Sequence, residues 1–75
     1  MKVLLIDRNN FQRILEVDEN MARTTCLPIQ KLVKGLDTAE LMEIPQEQRF
    51  EESYFVREGT TILNGEEIPI LKERM

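Results

Sequence analysis

The sequence has 75 residues and contains no histidine, no tryptophan, one cysteine, three glycines and three prolines. Without histidine it lacks the side chain most often used as a general base near neutral pH. Every Ser–His–Asp or Cys–His arrangement is thereby excluded. The one cysteine, Cys26, permits neither an intramolecular disulfide nor a Cys/His zinc site, and it fits a reducing compartment. Between Thr25 and Leu27 it reads as an ordinary half-buried cysteine. A reactive thiol would need a cation or a helix N-terminus beside it, and Pro28 keeps that second reading open because it can begin a helix. Four aromatics, Phe11, Phe50, Tyr54 and Phe55, offer few flat surfaces for stacking bases or sugars.

Long apolar runs are absent as well. The longest charge-free stretches, such as Thr24 to Gln30, fall far short of the ~20 residues of a membrane span. The N-terminal run stops at Ile6, too early for a secretory signal. The expectation is a cytoplasmic protein with no membrane association. A chain of this length holds one small domain with a thin core, and 41% hydrophobic residues is too many for a disordered chain.

Charge is present but uneven. Residues 1–36 carry a balance of +2 and residues 37–75 one of −6, for a net −4. Between Asp37 and Glu58 seven acids stand against Arg49 and Arg57. An acidic face disfavours nonspecific nucleic-acid binding. It reads either as a solvated surface or as a docking face for a basic partner, with Glu43, Glu47, Glu51 and Glu52 as its candidate contacts. The competing nucleic-acid reading uses the basic residues of the first half: Arg8, Arg13, Arg23, Lys31 and Lys34.

Lys2 to Asp7 reads as a strand buried on both faces. Asn9-Asn10 then supplies a turn that tolerates left-handed backbone. Residues 11–17 alternate as a second strand, although Phe11, Ile14 and Leu15 also fit a helical spacing. Asp18-Glu19-Asn20 reads as a polar turn, and residues 21–27 as a loop or an edge strand. A short helix is expected from Pro28, with Gly35 just past its end. A second is expected from Asp37, with Glu40 placed as in a capping box and Pro45 as the stop.

Residues 50–56 alternate as a strand that Gly59 breaks. Asn64-Gly65 between β-formers marks a hairpin. A two-residue loop there pairs Leu63 with Glu66 and Thr61 with Ile68; a longer loop would shift that register. Pro69 lacks an N–H, so the last strand should lie at an edge or turn its proline outward. The tail from Lys72 to Met75 should fray. The sum is an α+β domain: a small antiparallel sheet of four or five short strands with one or two short central helices, or a mostly β domain if the helices are loops.

Lys2 to Asp7, followed by Arg8, Phe11, Arg13 and Leu15, superficially resembles the start of a response-regulator receiver domain. The resemblance stops there. Arg8 stands where a second acid is usual, no later strand ends in a phosphoacceptor aspartate, and the chain is too short for five βα units.

No other spacing carries chemistry. Asp18, Glu19 and Asn20 lack the alternation and the glycine of a calcium loop. Glu51-Glu52 and Glu66-Glu67 are strand neighbours whose side chains diverge. No metal and no cofactor is expected. The sequence points to a non-enzymatic interaction or regulatory protein of inhibitor or adaptor type. It would form a homodimer and bind a protein partner through a sheet edge or the acidic face.

Overall fold

The computed structural model describes residues 1–74. Five strands form one mixed sheet in the order β2-β1-β5-β4-β3: β1 Lys2–Ile6, β2 Gln12–Glu16, β3 Cys26–Pro28, β4 Tyr54–Leu63 and β5 Glu66–Arg74. Three short helices, α1 Glu19–Arg23, α2 Ile29–Gly35 and α3 Thr38–Leu41, join the strands together with a 3-10 helix at Gln46–Phe50. The architecture is α+β, but the sheet is not wholly antiparallel. β1 runs parallel to β5, with Leu4 beside Ile70 and Ile6 beside Lys72. The other pairs are antiparallel.

The segment 11–17 forms a strand over Gln12–Glu16, as its alternation predicts. Leu15 and Val17 are buried while Ile14 turns outward. The turn before them is held by Asp7, whose Oδ1 accepts the N–H groups of Asn9 at 2.8 Å and Phe11 at 3.0 Å, with Asn10 in left-handed backbone at φ 63°. At the far end of the sheet the two-residue hairpin is the one formed. Leu63 pairs with Glu66 and Thr61 with Ile68, and Asn64 and Gly65 both adopt positive φ. Gly59 does not break its strand. With φ at 115° it forms a bulge in which Glu58 and Gly59 stand against Ile70, so β4 and β5 pair on both sides of it.

Several expectations are corrected. β5 is central, with β1 on one side and β4 on the other. Its buried Pro69 is tolerated because the β4 register shifts beside it and the β1 pairing begins only at Ile70. The tail does not fray as far as Arg74: Glu73 is buried within β5, and Met75 lies outside the described residues. The Asp18-Glu19-Asn20 turn opens into α1, because Asp18 Oδ1 caps it by accepting the Met21 N–H at 2.8 Å.

Pro28 is the extended N-cap of α2 rather than its first helical residue, and Gly35 is its last residue rather than the one beyond. Phe50 belongs to the 3-10 helix and is 75% exposed, so it shares no strand face with Tyr54. β1 is buried fully on one face only, through Val3 and Leu5. Asp37 does cap α3, accepting the Glu40 N–H at 2.9 Å.

The core lies on one side of the sheet. Val3, Leu5, Leu15, Val17, Leu27, Phe55 and Leu71 pack there against Met21 and Ala22 of α1, Ile29 and Leu32 of α2, and Ile44. The opposite face carries a row in register across three strands: Ile14, Leu4 and Ile70. No helix among the described residues is long and apolar enough to cross a membrane.

Candidate functional site

The four acidic candidates differ in exposure and pairing. Glu43, Glu47 and Glu52 are exposed, but the half-buried Glu51 is engaged by the Arg8 guanidinium. Glu51 and Glu52 line an open cavity of about 380 Å³ with Cys26, Pro28, Gln30, Ser53 and Tyr54. Cys26 at its rim is exposed rather than half-buried.

The basic set is largely neutralised. Arg13 pairs with Asp7 at 3.1 Å and lies 4.4 Å above the Phe11 ring. Arg23 pairs with Glu19 one helical turn earlier, and Arg8 with Glu51. Lys31 and Lys34 sit exposed on α2. Arginines already satisfied by carboxylates are poorly placed to collect phosphates.

Sequence reasoning missed a buried polar cluster where the parallel strands β1 and β5 end. Asp7 Oδ2 accepts from Arg13, while Glu73 Oε1 accepts the Arg8 N–H at 3.0 Å and Glu73 Oε2 accepts the Ser53 hydroxyl. Burial pushes the Asp7 carboxyl up. The N–H of Phe11, the Arg13 guanidinium, the N–H of Asn9 and the Gln48 amide outweigh it, and hold Asp7 below the usual carboxylate range. An acid ending an aliphatic strand before Asn-Asn is a readable turn signal; nothing local marks Ser53 or Glu73. Every oxygen of Asp7 and Glu73 is engaged within the fold, which makes the cluster a brace between the β1–β2 turn and β5. Among the described residues no group of three or more His, Cys, Asp or Glu is placed to hold a metal.

The two edges of the sheet differ in chemistry. At the β3 edge, the bonds Arg57 N–H to Thr25 O (3.1 Å) and Ile29 N–H to Ser53 O (3.0 Å) turn the odd residues toward β4. Antiparallel alternation then turns Cys26 and Pro28 outward. Both are closed. The Thr24 hydroxyl donates to the Cys26 carbonyl at 2.9 Å and accepts the Cys26 N–H at 3.4 Å. Pro28 has no N–H, and its N-cap carbonyl serves the first turn of α2.

At the β2 edge, the bonds Asp7 N–H to Phe11 O (3.0 Å) and Val17 N–H to Met1 O (2.9 Å) set the same parity. Residues 11, 13, 15 and 17 face β1, and residues 12, 14 and 16 face outward. Glu40 Oε2 accepts the Glu16 N–H at 3.2 Å. The main-chain groups of Gln12 and Ile14 stay unpaired among the described residues, with the Ile14 side chain 45% exposed beside them. β3 itself is shut by a hydroxyl and a proline, although β4 runs on past it from Glu58 to Leu63 with no strand on that side among the described residues, and β2 is open over two residues.

Comparison with protein-family models, with curated proteins and with solved structures finds no match for this chain.

Proposed function

We propose that this chain is a non-enzymatic protein-interaction module whose binding element is the outer edge of β2. The observation that carries the reading is the difference between the two outermost strands. Thr24 and Pro28 close β3, whereas Gln12 and Ile14 leave donors and acceptors unpaired on β2. Unpaired strand edges are costly for a protein to keep, because they recruit other chains. An extended segment of a protein partner would add there as a further strand. Main-chain bonds would supply affinity, and side chains beside Ile14 would supply selectivity.

The nucleic-acid alternative, built on Arg8, Arg13, Arg23, Lys31 and Lys34, is weakened by the carboxylates that already hold its arginines. The acidic alternative loses Glu51 to Arg8 in the same way.

Site-specific photocrosslinking in cells tests the reading. A benzophenone side chain at Gln12 should yield protein adducts, and the same group at Pro28, on the closed edge, should not. Adducts at Pro28 alone, or at neither position, overturn it.

A further inference from the structure

We infer that the strand received by β2 is β2 of a second copy, paired antiparallel about a two-fold axis through Ile14. This inference rests on β2 being the binding edge and adds the identity of its occupant.

The argument is one of register. Only even residues of β2 direct main-chain groups outward, so a symmetric antiparallel pair must match even residues with even ones. Three registers satisfy this rule with three or more residue pairs within Gln12–Glu16. One, with Leu15 on the axis, needs the Glu16 N–H to bond Ile14 of the second copy, and Glu40 already holds that N–H; two remain. In one, Gln12 lies opposite Ile14 of the second copy, and Arg13 falls on the axis against Arg13 of the second copy. Like charges directly opposite destabilise a strand pair. In the other, Ile14 falls on the axis. Its N–H and carbonyl then bond Ile14 of the second copy, and the Gln12 N–H reaches the Glu16 carbonyl on each side. The Glu16 N–H stays with Glu40 and is not needed for those bonds.

Side chains favour the second register as well. Gln12 comes opposite Glu16, so that an amide donor faces a carboxylate, and Arg13 comes opposite Leu15, so that no like charges meet. Ile14 meets its own copy, and the row Ile70, Leu4, Ile14 of one chain runs straight into the same row of the other. The product is one continuous sheet with an unbroken apolar line across the axis.

A strand of five residues buries much less than the ~800 Å² per partner of a stable interface. The dimer is therefore weak and depends on concentration.

Sedimentation velocity over a concentration series measures it. The mass should rise from 8.8 kDa toward twice that value. Ile14→Lys and Ile14→Asp should each stay monomeric, because each places like charges on the axis. An equimolar mixture of the two should recover the dimer, an outcome that requires residue 14 to meet residue 14. Circular dichroism of each variant checks that it is folded; Ile14 faces away from the core, and both should be.

A dimer that persists in both single variants overturns the inference, as does a mixture that stays monomeric. A wild-type chain that is monomeric at every concentration also overturns it. Such a chain would still crosslink a foreign protein from Gln12 if β2 is the binding edge, so the two readings fail separately.

Discussion

The Glu40 carboxylate accepts the main-chain N–H of Glu16 at 3.2 Å, tying α3 to the outer edge of β2. α3 has four residues and buries none of them; at its other end the Arg49 guanidinium donates to the Leu41 carbonyl at 2.9 Å. Glu40 stands in the capping-box position relative to Asp37, yet its side chain reaches another element instead of its own helix start.

Glu40→Ala should lengthen the open edge by one donor. The cost in stability is about 1 kcal/mol or less, as for a single exposed hydrogen bond. Amide exchange at Glu16 should accelerate, and self-association should strengthen because the freed N–H can pair with Gln12 of a second copy. Exchange at Glu16 equal to wild type would show that the carboxylate does not guard the strand.

Thr24→Val removes the hydroxyl that closes β3 and keeps the side chain's shape. Exchange at the Cys26 amide should rise several-fold, and the chain should acquire a second mode of association. Global stability should fall by about 1 kcal/mol. Light scattering of the variant against wild type at matched concentration reads the new contact directly.

Asp7 should contribute to the acid sensitivity of the fold. Its carboxyl is held below its ordinary value in the native state, so it is charged there at pH values where the unfolded chain begins to take up a proton. The stabilisation is complete above the unfolded pKa near 3.8 and disappears as pH falls through the lower native value. Asp7→Ala should cost about 3 kcal/mol, because Arg13 is left half-buried without its partner. The variant should also flatten the loss of stability below about pH 4. Urea titrations at pH 7 and at pH 3 for both proteins give the difference. An equal pH dependence in the two would assign the acid sensitivity elsewhere.

Gly59→Ala probes the bulge without a packing term. A Cβ at Gly59 meets nothing within 4 Å, but its φ of 115° is one that L side chains rarely adopt. The expected cost is about 2 kcal/mol from backbone strain alone. The denaturation midpoint should fall at constant m-value. No change would mean that the bulge relaxes.

What the sequence made legible was local. Asn64-Gly65 fixed a hairpin because positive φ at both positions admits few residues. Asp37 marked a helix start, and the alternation of Leu15 and Val17 marked a strand, each through neighbours in the chain. Asp18 carried the same capping signal as Asp37, and α1 follows from it on the same logic.

The central place of β5 was not legible. Leu4 and Ile70 meet across nearly the whole chain, and no short-range pattern encodes a parallel pair. Pro69 was an edge signal that holds only locally: β5 has no β1 neighbour at Pro69 and becomes central from Ile70 onward. The candidate site was hidden for a related reason. Thr24 and Pro28 acquire their edge-closing role only once β3 is known to be an outer strand. Glu40 acquires its own only once α3 is seen beside β2.

The parallel pairing of β1 with β5 also bears on how the protein is born. The strand at the middle of the sheet is the last of the five to leave the ribosome. Until it does, the β1–β2 hairpin and the segment carrying β3 and β4 have no common neighbour, and the apolar side of each stays wet. Closure of the sheet must therefore wait for the translation of β5, and a message broken within that strand would yield a chain whose two strand groups share a core but no common sheet.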